Sequence, residues 1–140
     1  MKILLPVDGC AHSDRAVHHV VALTQGCADH QIHVINVQSP VDAPEIRSHM
    51  RIDEIEAMQQ ARGGDALASA RALLDAAGIA YTPAVVLGPV AKSIADFAQK
   101  NGCDQIVMGT RGLGAIGSML MGSVTTELMS ITALPVTLVK

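Results

Sequence analysis

Aromatic side chains are almost missing from this chain, which has no tryptophan, one tyrosine (Tyr81) and one phenylalanine (Phe97) among its 140 residues. Sites that stack a ring on aromatic side chains, as flavin sites usually do, are therefore disfavoured. Because 49% of the residues are hydrophobic, the core must consist of Ala, Val, Leu, Ile and Met. This length suits one compact α/β domain, and we expect a single domain over residues 1–140.

Clusters of lysine and arginine are missing as well, and the formal net charge is −3. Without a basic patch, neither nucleic acid nor an anionic membrane surface is an expected partner. The uncharged run at residues 112–126 is too short to cross a bilayer. Residues 1–8 lack the length and the cleavage site of a signal peptide, so we expect a cytoplasmic protein without a membrane segment.

Paired cysteines and clustered metal ligands are also missing. Cys10, Cys27 and Cys103 are widely spaced and odd in number, which favours reduced thiols over a disulfide framework or a zinc site. The six histidines show no i, i+4 pair with a matching carboxylate, so we expect no metal site built by protein side chains.

The sequence does contain short apolar runs that alternate with longer segments of helical spacing, which predicts a parallel sheet built from βαβ units. We expect Ser13 to cap the first helix, Gly63-Gly64 to fray or break the second, and Gly78 to end it. Pro135 marks the last strand as an edge strand. The predicted strands are residues 3–7, 32–37, 80–87, 105–108 and 135–139, and the later helices are predicted at about 45–77, 90–100 and 123–131.

A glycine-rich stretch follows the fourth predicted strand, and its residues 112–117, GLGAIG, match the dinucleotide fingerprint GxGxxG. That fingerprint also requires an acidic residue about twenty positions later to hold the ribose. Glu127 is the only acidic residue after Gly117, and it falls inside a predicted helix. An NAD site therefore remains an alternative only.

The same stretch fits a wider pattern, G-x2-G-x9-G-[ST], through Gly109, Gly112, Gly122 and Ser123. Glycines let the backbone turn sharply and approach a phosphate, and the N–H groups at a helix N-terminus attract the same anion. With PVDG at residues 6–9, MGTRG at 108–112, GSVT at 122–125 and LPVTLVK at 134–140, the whole chain resembles the universal stress protein family, in its ATP-binding branch.

This resemblance implies a Rossmann-like, doubly wound α/β fold, with five parallel strands in the order 3-2-1-4-5 and helices on both faces. It implies that Asp8 lies on the ribose side of a bound ATP, with a plain turn-forming aspartate before Gly9 as the alternative. It also implies that Arg111 either screens phosphate charge or is a solvated loop cation. Val37 and Met108 are expected either to contact adenine or to be plain core residues at strand ends. The implied adenine pocket is lined by Pro6, Val37 and Met108, and the implied triphosphate site by Gly109, Gly112, Gly122, Ser123, Val124 and Thr125.

The resemblance further implies a stress-response or signalling module that binds ATP with Mg²⁺, hydrolyses it slowly at most, and forms a homodimer through Val136–Val139. Cys10 stands where the family often has serine, so its role is left open. Three alternatives remain at this point: an NAD-type oxidoreductase that uses GLGAIG, a true nucleotide hydrolase, and an interaction module without a ligand.

Overall fold

The computed structural model describes residues 1–40, 50–111 and 121–140 of the chain. Its strands are β1 (Lys2–Pro6), β2 (Gln31–Gln38), β3 (Thr82–Leu87), β4 (Gln105–Gly109) and β5 (Val136–Val139). Its helices are α1 (Ala11–Thr24), α2 (Ile52–Ala76), α3 (Val90–Lys100) and α4 (Ser123–Ile131). The alternation of strands and helices predicted from the hydrophobic spacing is confirmed.

The five strands form one parallel sheet in the order β3-β2-β1-β4-β5. The predicted fold class and strand order are therefore confirmed, and β5 is an edge strand as expected. The chain winds outward in one direction from β1 through β2 to β3, and in the other direction from β4 to β5. The switch between the two directions lies between β1 and β4, where open α/β sheets leave a crevice at the carboxyl ends of the strands.

The core consists of two apolar layers, one on each face of the sheet. Side chains of one parity, such as Leu5 and Val34, pack against α1 and α2. Side chains of the other parity, such as Leu4 and Ile35, pack against α3 and α4. Because the central strands are covered on both faces, they read as continuous apolar runs rather than as alternating ones.

The second predicted helix differs from the observed one. Helix α2 continues through Gly63-Gly64 without a break and ends before Gly78, whose φ of +69° confirms it as the stop signal. The predicted start near residue 45 lies outside the described residues, but the prediction is wrong at Met50 and Arg51: Arg51 is extended, and α2 begins at Ile52. Gly63 is buried because α2 approaches β3 closely there: a Cβ on Gly63 would lie 2.8 Å from Cγ2 of Val85. A tertiary contact, and not a helix break, explains this glycine.

The first helix begins earlier than predicted. Cys10 is the residue before α1, and Ser13 lies inside the first turn, so the assignment of Ser13 as the cap is wrong. The physical reason is a tight turn at Gly9, whose φ is +83°, which lets the helix start directly after Cys10. Among the described residues, no helix combines the length and the apolar character needed to span a membrane.

Candidate functional site

The two ends of the glycine-rich pattern lie next to each other in the structure. Thr110 lies directly after β4. The Gly122 N–H donates to the Thr110 carbonyl at 2.7 Å, and the Thr110 N–H donates to the Val139 carbonyl at 3.1 Å. Gly109 and Gly122 are thus brought together although twelve residues separate them. Gly112 belongs to the segment outside the described residues, so its predicted role stays a prediction.

The end of β4 also contacts the start of α1. A Cβ on Gly109 would lie 2.8 Å from the carbonyl oxygen of His12, so a larger residue would push the helix away. The Cys10 thiol donates a long hydrogen bond, 3.8 Å, to the Arg111 carbonyl. The loop after β1 and the segment leaving β4 therefore contact each other at the carboxyl edge of the sheet, where a crevice is expected at the switch between β1 and β4.

Asp8 is the first polar residue after β1, and it is half-buried. Its Oδ1 accepts hydrogen bonds from the Ser13 hydroxyl at 2.6 Å and from the Cys10 N–H at 3.0 Å. The second of these closes an Asx turn, which is how an aspartate stabilises a tight loop. The structure therefore places Asp8 at the predicted crevice and adds a structural function to it.

The predicted adenine-lining residues share one face of the sheet. Pro6, Val37 and Met108 continue the parity of Leu4, Ile35 and Ile106, whose side chains pack against α3 and α4. Pro6 is buried, Val37 is half-buried and Met108 is 7% exposed. They form an apolar strip at the carboxyl ends of three neighbouring strands. Met108 belongs to the core cluster itself, so the alternative of a plain core role stays open for it.

Helix α4 directs its N-terminus to the same edge of the sheet. Its first internal bond runs from the Thr126 N–H to the Gly122 carbonyl, so the N–H groups of Ser123, Val124 and Thr125 have no acceptor within the helix. The first turn carries no acidic residue, so no side chain within that turn offsets the positive end of the helix dipole. Ser123 is exposed, whereas Thr125 is 2% exposed and lies inside the protein.

The ionisable groups described at this edge of the sheet include Asp8, Cys10 and Arg111. Arg111 is half-buried at the start of the glycine-rich stretch. Burial, together with hydrogen bonding to Asp8, raises the pKa of the Cys10 thiol above its ordinary value. In the part of the chain that the structure describes, no group of three or more His, Cys, Asp or Glu side chains could hold a metal ion.

Two polar side chains that bond the loop after β1 were not predicted from the sequence to do so. Ser13 bonds Asp8 as described above, and Asn36 in β2 donates from its Nδ2 to the Val7 carbonyl at 2.7 Å. The Gln38 amide donates in turn to Asn36 Oδ1 at 2.7 Å. The available signal was an asparagine within an otherwise apolar strand, because a buried polar residue needs a specific partner.

Comparisons with known proteins agree with this architecture. The model of the universal stress protein family matches residues 1–140. The chain is 32% identical to a universal stress protein of Thermus aquaticus, covering 99% of this chain and 97% of that protein. It is 29% identical to one of Methanocaldococcus jannaschii, covering 99% and 81%. The structure of the protein UspA from Lactobacillus plantarum matches with a TM-score of 0.82 at 18% identity, covering 100% of this chain and 97% of that one.

Three further solved structures with the same fold were determined with nucleotides. They are a universal stress protein with cAMP (TM-score 0.73, 21% identity, 100% and 97% covered), one from Archaeoglobus fulgidus with dAMP (0.69, 17%, 100% and 98%), and one from Arabidopsis thaliana with AMP (0.70, 18%, 100% and 91%). At these identities the likeness concerns the fold. From the match over its full length and the identity to its relatives, the chain belongs to the universal stress protein family.

Proposed function

We propose that this protein binds an adenine nucleotide, ATP with Mg²⁺, in the crevice between β1 and β4, and acts as a stress-response or signalling module. The observation that carries the proposal is the hydrogen bond from the Gly122 N–H to the Thr110 carbonyl. It holds the exit of β4 and the N-terminus of α4 side by side, so that loop N–H groups and the helix dipole can act on one anion.

The order of the groups along the crevice fits the parts of a nucleotide. The apolar strip of Pro6, Val37 and Met108 would take the base, and Asp8 beside it would take the ribose. The N–H groups of α4 and the Ser123 hydroxyl would take the phosphates, with Arg111 as a nearby cation. Universal stress proteins with cAMP, dAMP and AMP bound support the choice of an adenine nucleotide.

Hydrolysis is proposed to be slow at most. A general base must bring an acceptor atom within hydrogen-bond distance of the attacking water to take its proton. Asp8 is the carboxylate of the proposed site, and its Oδ1 already accepts two hydrogen bonds. The Mg²⁺ ion would arrive with the triphosphate, with the exposed Ser123 hydroxyl as a possible oxygen ligand.

We further propose that residues 1–140 form one domain, that the protein is cytoplasmic, and that two copies associate through β5. The three thiols, all within the described residues, are unpaired, as suits a reducing compartment. Within the described residues, one edge of β5 pairs with no other strand, and such an edge favours pairing with another strand.

The test is calorimetric titration of ATP, AMP, adenosine and NAD into nucleotide-free protein, for the wild type and for Ser123→Asp and Ser130→Asp. Ser123→Asp puts a negative charge in the first turn of α4, which suits the helix dipole but repels phosphate, so ATP binding should weaken about tenfold or more. Adenosine binding should be unaffected. Ser130→Asp adds the same charge at the other end of α4 and should leave ATP affinity unchanged.

The outcomes separate the alternatives. ATP binding that both variants weaken equally would contradict a phosphate site at the start of α4. Preferential NAD binding would favour the dinucleotide fingerprint at residues 112–117 instead. No binding of any nucleotide would leave an interaction module, and release of phosphate at many turnovers per minute would favour a true hydrolase.

A further inference from the structure

The peptide unit between Val7 and Asp8 is held from both sides by buried side chains. Strand β1 makes its last ladder bond through the Val7 N–H to the Ile35 carbonyl, at 2.8 Å. Beyond that bond the Val7 carbonyl accepts from Asn36 Nδ2 at 2.7 Å, and the Asp8 N–H donates to Ser13 Oγ at 3.0 Å. Asn36 is 3% exposed and Ser13 is 5% exposed, so the bond made by Asn36 is buried and the bond made by Ser13 is partly buried.

Ser13 also fixes the carboxylate that follows this peptide unit. Its hydroxyl accepts from the Asp8 N–H and donates to Asp8 Oδ1 at 2.6 Å, a length typical of a charge-assisted hydrogen bond. The Cys10 N–H donates to the same oxygen at 3.0 Å. With two donors on Oδ1 and the backbone held as well, the Asp8 side chain is limited to one orientation in the crevice.

These polar side chains would be costly without a specific task. Ser13 lies on the buried face of α1 with Ala16 and Val17, and Asn36 has the parity of Ile32 and Val34, whose side chains belong to the same apolar layer. Burying a hydroxyl or an amide among such residues is unfavourable unless it is hydrogen-bonded. Ser13 bonds both the N–H and the carboxylate of Asp8, and Asn36 donates to the Val7 carbonyl while its Oδ1 accepts from the Gln38 amide. The bonds to the Val7–Asp8 unit point to positioning and not merely to packing.

We infer that Ser13 is a positioning residue that orients the Asp8 carboxylate toward the ribose hydroxyls of the bound nucleotide, with Asn36 holding the backbone behind it. The inference rests on the proposed function. It adds that discrimination between ribose and sugars without hydroxyls depends on a buried hydroxyl in α1, which does not itself touch the ligand. Preorganised second-layer bonds of this kind keep a recognition group at its productive angle.

The test compares ATP with 2′,3′-dideoxy-ATP on the wild type, Ser13→Ala and Thr24→Val. Thr24 is a matched control, because its buried hydroxyl lies at the other end of α1 and donates to the Val20 carbonyl at 2.8 Å. The wild type should prefer ATP. Ser13→Ala should bind ATP about tenfold more weakly while its affinity for dideoxy-ATP changes little, so that the preference disappears. Thr24→Val should keep the preference.

Other outcomes would overturn the inference in distinguishable ways. Equal weakening of both ligands by Ser13→Ala would mean a purely structural hydroxyl. Equal affinity of the wild type for the two ligands would show that Asp8 does not bind the ribose hydroxyls, although the protein still binds nucleotides. No nucleotide binding by the wild type would overturn the proposed function itself. Should Ser13→Ala fail to fold, Ser13→Cys fills the same space with a weaker donor and should also lose the preference.

Discussion

Cys10 lies where the loop after β1 meets the segment that leaves β4. Its thiol contacts the Arg111 carbonyl, and its N–H bonds Asp8. Burial is the main cause that raises its pKa, and the neighbouring Asp8 adds to the effect. A raised pKa favours the neutral thiol, which is a weak nucleophile. The residue therefore suits a structural contact better than redox chemistry.

The alkylation rates of the three cysteines should show whether the Cys10 thiol is a weak nucleophile. At neutral pH, iodoacetamide should modify the exposed Cys27 first, and Cys10 and the buried Cys103 much more slowly, because burial also raises the pKa of Cys103. Cys10 labelling should accelerate only at a pH above that required by an ordinary cysteine. Mass spectrometry of peptides from a labelling time course measures the three rates. Labelling of Cys10 as fast as that of Cys27 at pH 7 would contradict the assignment.

Helix α2 shows how one element is fitted to the sheet. Two adjacent glycines in a helix look like a weakness, since glycine costs about 1 kcal/mol relative to alanine at such a position. Only Gly63 faces β3, where the side chain of Val85 leaves no room for a methyl group. A Cβ on Gly64 would meet nothing within 4 Å. The two glycines thus differ in their reason for being there.

Alanine substitutions at Gly63 and Gly64 should therefore change the free energy of unfolding in opposite directions. Gly63→Ala should lower the free energy of unfolding by about 1–3 kcal/mol, because a β-branched side chain cannot move aside easily. Gly64→Ala should raise it by up to about 1 kcal/mol through better helix propensity. Urea denaturation of the two variants, each compared with the wild type, measures both. Similar changes in both variants would show that helix propensity, and not contact with β3, decides the outcome.

For the whole molecule, the proposed association of two copies depends on the edge of β5 that pairs with no strand of the described residues. The Ile106 N–H donates to the Pro135 carbonyl and the Thr110 N–H to the Val139 carbonyl. By the alternation of a parallel ladder, Thr137 also turns its backbone groups toward β4, whereas Val136 and Leu138 turn theirs outward. Association through this edge would give those outward groups their partners.

Hydrogen exchange can test the proposed dimer residue by residue. In a dimer paired through β5, the Val136 and Leu138 amides should exchange about as slowly as the Thr137 amide, which serves as the internal control. In a monomer, Thr137 should be the one of these three amides that is protected from exchange. Light scattering at micromolar concentration gives the mass independently. A monomeric mass together with fast exchange at Val136 and Leu138 would rule out pairing through this edge.

The succession of strands and helices, the stop at Gly78 and the aliphatic nature of the core could all be predicted from the amino-acid sequence. These features depend on hydrophobic period and on backbone preferences within a few residues, which can be read locally. The strand order and the roles of Asp8 and the spaced glycines followed from the family resemblance, since spacing alone also allowed a dinucleotide site. The wrong cap at Ser13 shows the limit of local reasoning: Ser is a good cap, but the turn at Gly9 had already started the helix.

The contacts between residues that are distant along the chain could be found only in the folded protein. Ser13 binds Asp8, Asn36 binds the Val7 carbonyl, and Gly122 binds Thr110. Each of these contacts depends on the separation of a helix from the sheet or on the register of neighbouring strands. Those distances result from close packing of the whole core, in which every side chain must find space at once, and no short stretch of sequence contains that information.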